Sequence, residues 1–344
     1  MNFRLPAEWE PQAAVAIAWP HAGTDWAARL ARIEAAYVAL AAAIARFEPV
    51  LICAADASVR ERAAAQLAAA GVGAGRVRFV EAAYDDTWLR DSGPLTLTDG
   101  ERFRLLDFRF TGWGGKYEAS RDDRLVDALV ARGVFRAAEH RRIDWALEGG
   151  AIESDGAGTL LSTWRCLHER HPDLPRAAIE ARLRDAFGVT RVLWLEHGYL
   201  EGDDTDAHVD TLARFAPGDA IVFQTCTDPD DPHHDELARM RAEIAELRTA
   251  GGARYRLHPL PWARAIFDDD GRRLAASYAN YLVVDGAVLV PAYGDPADAD
   301  AARAIAAAHP GREIVPIDAR PLIWQNGSVH CLTMQLPAGV LAPA

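Results

Sequence analysis

A chain of 344 residues, 50% of them hydrophobic, can bury a large core and is neither disordered nor fibrous. Its formal charge is −13, from 50 acidic against 37 basic residues, and no run of lysines or arginines is present to grip a phosphate backbone, so nucleic acid is excluded as the expected partner. An acidic surface is compatible with a cationic small substrate, whose local concentration it raises.

The opening MNFRLPAEWEPQAA has no apolar signal core behind a basic head, and no apolar run approaches the roughly 20 residues that span a bilayer. The expectation is a cytoplasmic protein with no membrane partner. Apolar, β-rich runs follow at residues 14–19 (AVAIAW), 49–53 (PVLIC), 77–80 (VRFV), 192–195 (VLWL), 220–224 (AIVFQ), 281–284 (YLVV) and 287–291 (AVLVP). Helical stretches lie between them. Residues 26–47 follow Thr24-Asp25, which can cap the helix; residues 58–71 stop at Gly71; residues 236–252 end at Gly251-Gly252. The class is therefore α/β. The unit strand, loop, helix, strand returns in residues 50–80 and again in 287–317, which suggests internal structural repeats, although a doubly wound sheet or barrel would alternate in the same way. No long Gly/Ser/Pro linker interrupts the chain, so a single domain over residues 1–344 is expected.

Polar residues of reactive kinds cluster at four places, each at or just after a predicted strand, where α/β proteins carry their sites. Residues 85–94 (DDTWLRDSGP) hold Trp88 and the Arg90-Asp91 pair; composition alone would make Asp91 a turn-capping aspartate. In residues 147–163, Glu148 precedes two glycines and Asp155-Gly156 marks a hairpin. Those glycines would let backbone approach a ligand closely, or mark a bulge. Residues 201–210 hold five carboxylates and one histidine, with Asp204 among them. His208 and Asp210 are two apart, so on an extended segment both point the same way. That suits an acid–base pair or a metal; an EF-hand is excluded by the missing glycine and terminal glutamate, and zinc would want more His or Cys nearby. The fourth cluster is residues 325–337 (QNGSVHCLTMQLP), where a turn at Asn326-Gly327-Ser328 leads into a short strand that would set His330 and Cys331 on opposite faces. If Cys331 faces a pocket, its base must come from elsewhere in the fold.

The other cysteines, Cys53, Cys166 and Cys226, are far apart with no C-x-x-C pair, so neither a disulfide framework nor a zinc knuckle is signalled, and Cys53 reads as core packing. The paired histidines of residues 228–236 (DPDDPHHDE) read as the acidic start of a helix. Trp113, in TGWGGKYE, lines a pocket or closes a tight turn.

Taken in order, W-x-R-D-x-G-P, E-G-G with its D-G-x-G-T tail, G-D-D-T-D-x-H-V-D and a C-terminal H-C resemble the agmatine deiminase family and its bacterial peptidylarginine deiminase relatives, within the guanidine-modifying pentein superfamily. The resemblance covers essentially the whole chain. It implies a five-bladed pseudo-symmetric α/β propeller that deiminates a guanidino substrate, foremost agmatine, or else arginine or peptidyl-arginine. By the same resemblance Cys331 is the nucleophile, His208 the general acid/base, Asp91 and Asp210 the guanidinium clamp and Glu148 a support, with Trp88, Trp113 and Asp204 also at the substrate. No metal or organic cofactor is implied; a small cationic guanidino substrate and a homodimer are. The sequence departs from the familiar pattern at QNGS before His330-Cys331, at Ala207, where glycine is usual, and in a shortened TGWGGKYEASRDD loop.

Overall fold

The computed structural model describes residues 3–343. Met1, Asn2 and Ala344, the ends of the expected single domain, lie outside the described residues. The chain divides into two compact units. The first runs to Gly149 and takes up Val283–Asp285 and the chain from His330; the second holds Gly150–Leu282 and Gly286–Val329.

In chain order the first unit contains β1 (Gln12–Ala18), α1 (Leu30–Ala45), β2 (Val50–Ala54), α2 (Ala57–Ala69), β3 (Val77–Glu81), α3 (Leu89–Ser92), β4 (Leu95–Thr98), β5 (Phe103–Arg109), α4 (Gly112–Gly115), α5 (Leu125–Ala131) and β6 (Glu139–Ala146). The second contains β7 (Ile152–Ser154), β8 (Thr159–Thr163), α6 (Trp164–Arg170), α7 (Arg176–Phe187), β9 (Arg191–Leu195), β10 (Ala213–Ala216), β11 (Ala220–Gln224), α8 (His234–Glu246) and β12 (Arg256–Leu260). The chain leaves the second unit along β13 (Leu282–Val284), returns with β14 (Ala287–Ala292), α9 (Asp298–Ala308) and β15 (Glu313–Asp318), and closes in the first unit with β16 (Thr333–Pro337).

The described strands form five small sheets, the number of blades that the resemblance implies. One plan recurs: an antiparallel neighbour, then a parallel pair joined through a helix. In the first unit β16 runs antiparallel to β1, which is parallel to β2 across α1, as β2 is to β3 across α2. There too β4 is antiparallel to β5, and β5 parallel to β6 across α5. The second unit repeats the plan in β7-β8-β9 and β10-β11-β12, and β14 is parallel to β15 across α9. Helical crossovers are what parallel neighbours require, and they explain why the sequence alternates as it does.

Strands such as β2 (VLICA) and β11 (AIVFQ) are buried along their whole length and so read as continuous apolar runs rather than alternating ones. Around the first sheet Trp19, Trp26, Tyr37 and Ile17 are nearly solvent-free. Each such side chain contributes about 1.5–3 kcal/mol on burial. Cys53 sits among them, and burial pushes its thiol up to about 12, so it is core packing as expected.

Helix boundaries depart from the sequence reading in two places. Asp25 does not cap α1: the chain enters through a 3₁₀ turn (Ala27–Arg29), neither N-cap residue, Trp26 or Arg29, makes a side-chain cap bond, and the Thr24 hydroxyl donates to the His21 carbonyl at 2.7 Å. α8 stops at Glu246 rather than at the Gly251-Gly252 pair, because Leu247 turns to an extended conformation. α2 is capped by Asp56, whose carboxylate accepts the Val59 N–H at 2.8 Å. Among the described residues no helix is long and apolar enough to cross a membrane.

Candidate active site

The site residues expected from sequence fall into two sets, one in each unit. In the first unit, α3 begins directly after Trp88 and carries Asp91. The turn is short because Gly93 accepts no side chain: a Cβ there would lie 2.5 Å from the Leu89 carbonyl and press on Met334 of β16. Asp91, buried, accepts a hydrogen bond from Trp113 Nε1 at 3.0 Å. Trp113 reaches it from a left-handed backbone (φ 54°) within α4, flanked by Phe110 and Tyr117 with ring centroids 5.2 and 5.4 Å away. Trp113 therefore orients Asp91. Trp88 is buried against Trp26, whose Nε1 donates to Thr87 Oγ1 at 2.9 Å.

Cys331 lies on a turn over residues 329–332, not on a strand; β16 begins only at Thr333. The alternating-face argument for His330 and Cys331 thus fails, and hydrogen bonds set their directions instead. The Arg90 N–H donates to the Cys331 carbonyl at 3.2 Å, and the Arg90 guanidinium, buried, reaches the His330 carbonyl at 3.5 Å, the Gln335 side chain and Glu8 at 3.4 Å. The His330 ring is turned to Glu8, with Nε2 2.7 Å from Oε1, while Gln335 Nε2 donates to Glu8 Oε2 at 2.9 Å. Arg90 thereby ties the Asp91 turn and the Cys331 turn into one frame. Glu148 is tied to the same frame through its neighbour: a Cβ on Gly149 would lie 2.2 Å from the Arg90 carbonyl, so the glycine permits close backbone contact. The close approach is to the chain's own backbone at Arg90. The hairpin after it forms as expected, β7 to β8, with Asp155 Oδ1 accepting from Ala157 and Thr159 at 2.7 and 2.8 Å.

In the second unit His208 and Asp210 are fully buried. They do not share an extended segment. His208 precedes a 3₁₀ turn (Val209–Thr211) that contains Asp210, and β10 starts only at Ala213. Asp210 Oδ2 accepts from Asn280 Nδ2 at 3.2 Å. Asp204 accepts at 2.8 Å from Asn326 Nδ2, and Asn326 itself is left-handed (φ 71°) and held by Arg272. The QNGS departure thus holds a predicted substrate residue in place. His233 is no ligand: it is buried, with Nδ1 2.6 Å from Asp231 and Nε2 accepting the Glu201 N–H at 2.7 Å.

Ala207 explains another departure. Its φ is 72°, a region that L side chains enter at a cost of about 1–2 kcal/mol, which is the physical reason for the glycine usual there. Ala207→Gly is expected to raise unfolding stability by up to about 1 kcal/mol in denaturant titration. A loss larger than that would mean the buried methyl outweighs the strain.

Sequence reading missed Glu8, Asp203, Arg170 and Asn280. Glu8 lies in the LPAEWEP segment that carries the resemblance, which was a signal without an assigned role. For Arg170 and Asn280 no local signal exists, because their partners are distant in sequence.

With this geometry in view, the sequence profile of the Porphyromonas-type peptidyl-arginine deiminase family matches residues 4–337. The chain belongs to this family. It is 36% identical to the agmatine deiminase of Pseudomonas aeruginosa (strain LESB58), over 98% of this chain and 96% of that one. A crystal structure from Porphyromonas gingivalis, provisionally assigned as an arginine deiminase, superposes with TM-score 0.91 at 42% identity, covering 99% of this chain and 100% of that one. A Cys-to-Ser variant of the C. jejuni agmatine deiminase with substrate bound gives 0.90 at 31% identity, covering 98% and 97%. The fold is thus the mixed α/β fold of the pentein deiminases, and the chain is an enzyme of this hydrolase type.

Proposed function

We propose that the chain hydrolyses the guanidino group of agmatine, giving N-carbamoylputrescine and ammonia through a covalent cysteine intermediate. The observation that carries this reading is the frame in the first unit, where a buried carboxylate oriented by Trp113 and the turn bearing Cys331 are tied together through Arg90. A guanidinium has a pKa of about 13 and stays cationic, so it is held by carboxylates that pair its N–H groups. Asp91 and Asp210 take that role. Its central carbon is a weak electrophile, because resonance spreads the charge, and thiolate is the strongest nucleophile that side chains offer. The Cys331 thiolate attacks that carbon to form a tetrahedral adduct. The C–N bond breaks as His208 gives a proton to the departing nitrogen, and ammonia leaves. His208 then takes a proton from water as its oxygen attacks the thiouronium carbon; the C–S bond breaks to return the thiolate, and the remaining hydroxyl proton passes to solvent, where the released ammonia takes it up, leaving the ureido product. Glu148 favours the charged imidazole. Trp88 and Trp113 wall the guanidinium, and Asp204, held by Asn326, serves the substrate's far ammonium. The nucleophile and the acid–base group are side chains, so the sequence of steps calls for no metal or cofactor.

Agmatine is favoured over arginine because Arg90, the arginine beside Asp91, is committed to Glu8, Gln335 and the His330 carbonyl rather than to a substrate carboxylate. Of the other candidates, Arg109 pairs with Asp144 at 3.1 Å and Arg165 lies over the Tyr199 ring. The family's description keeps peptidyl-arginine as the second reading. Ammonia release is to be measured from agmatine, free arginine, a peptide ending in arginine and dimethylarginine. Agmatine is expected to lead by at least about tenfold in kcat/KM, as a buried carboxylate without a partner costs more than 1.4 kcal/mol. A lead for either arginine substrate changes the substrate and keeps the reaction; no release from any of the four ends the enzymatic reading. The same reading carries a single catalytic domain over residues 1–344, a cytoplasmic location and a homodimer, the last resting on the resemblance.

A further inference from the structure

The turn of residues 203–208 (DDTDAH) in the second unit is held more tightly than a connecting loop requires. The Asp203 carboxylate accepts three hydrogen bonds: from the Thr205 N–H at 3.0 Å, the Thr205 hydroxyl at 2.6 Å and the Ala207 N–H at 2.8 Å. Thr205 Oγ1 accepts in turn from the His208 N–H at 3.1 Å. On the other side Arg170, almost wholly buried, pairs with Asp206 Oδ2 at 2.6 Å and donates to the Thr205 carbonyl at 3.0 Å. The Thr163 hydroxyl donates to the Ala207 carbonyl at 2.6 Å.

Between these anchors Asp206 and Ala207 are both left-handed, with φ of 66° and 72°. Two consecutive non-glycine residues in that region persist only where surrounding bonds over-determine them. The next residue is His208, whose ring leaves the backbone in a direction that this turn sets. Burial pushes the Asp203 carboxyl up from its ordinary range, and the Thr205 bonds and the charge of His208 oppose that rise.

We propose that Asp203 is a positioning residue for His208, acting through Thr205 and Ala207, with Arg170 holding the opposite side of the turn. The role rests on the reading of His208 as general acid and base. In Asp203→Asn an amide replaces one acceptor, so either the Ala207 N–H or the Thr205 donors meet an NH₂ group, and the negative charge beside the imidazole is lost. Two shifts follow. The His208 imidazole titrates at lower pH, because the group that favoured its charged form is gone, and the alkaline limb of the kcat profile moves to lower pH with it. kcat falls about 100-fold, the scale of an ångström of misplacement, while KM stays within about threefold.

The test is an NMR titration of the His208 ring in full-length wild-type and Asp203→Asn proteins, alongside steady-state kinetics on agmatine. A merely structural role would lower the melting temperature and leave the His208 titration and the pH limb in place, and that result overturns the proposal. If Asp203→Asn does not fold, Thr205→Val, which deletes the hydroxyl between Asp203 and the His208 N–H, is read in the same way, with a fall in kcat supporting the proposal and an unchanged kcat and pH limb overturning it. Should the wild type prove inactive on every guanidino compound, the functional reading fails, yet the NMR shift still decides whether Asp203 governs His208. Should the wild type be active and His208→Asn dead while Asp203→Asn behaves as wild type, the positioning role alone falls.

Discussion

Cys331→Ser is expected to lower ammonia release from agmatine by about 10⁴-fold or more while the protein remains folded. Serine is nearly isosteric, and the turn of residues 329–332 is held by backbone and side-chain bonds from Arg90, none of which involves the sulfur. What is lost is a nucleophile: a free thiol ionises near pH 8.5, and a bound guanidinium favours the thiolate further, whereas a hydroxyl stays protonated. No other cysteine substitutes. Burial pushes the Cys53 thiol up to about 12 and also raises Cys226, and Cys166 is fully enclosed. A haloacetamidine, which mimics the guanidinium, should therefore alkylate Cys331 alone in wild-type protein, as read by peptide mass spectrometry. Preferential labelling of Cys53, Cys166 or Cys226 would sink the assignment of the nucleophile.

Asp210→Asn is expected to cost about 10³-fold in kcat/KM, roughly 4 kcal/mol, the scale of removing one partner from a desolvated ion pair. The shape is retained, and the new amide oxygen still accepts from Asn280 Nδ2, as Asp210 Oδ2 does at 3.2 Å. That choice leaves the amide NH₂ on the other side, donor against donor when a guanidinium arrives. Both KM and kcat suffer, because the clamp holds the cation in the ground state and aligns its carbon for attack. Calorimetric titration of agmatine into the Cys331→Ser protein, with and without Asp210→Asn, separates binding from chemistry. Equal affinity in the two proteins would remove Asp210 from the clamp.

The alternation of strand and helix was legible because parallel neighbours need helical crossovers and fully buried strands read as apolar runs, as in β2 and β11. Helix ends were less so. Thr24-Asp25 has the composition of a cap, yet Thr24 donates to His21 and leaves the helix to start through a 3₁₀ turn. Side-chain direction at the candidate site was not legible from period-two reasoning, since neither His208–Asp210 nor His330–Cys331 lies on a strand. The glycine usual at Ala207 is explained only by a φ of 72°, which composition does not display.

By itself the sequence determined the class of chemistry this protein carries and the repeating α/β plan. Residue type sets what a thiol, an imidazole or a carboxylate can do, and hydrophobic periodicity is a local property. Only the tertiary structure decided which way the reactive groups are held. Glu8 meets His330 across 322 residues, Arg90 meets Gln335 across 245 and Asn280 meets Asp210 across 70. Such pairings depend on the path of the chain between them, so no local pattern in either partner could announce them.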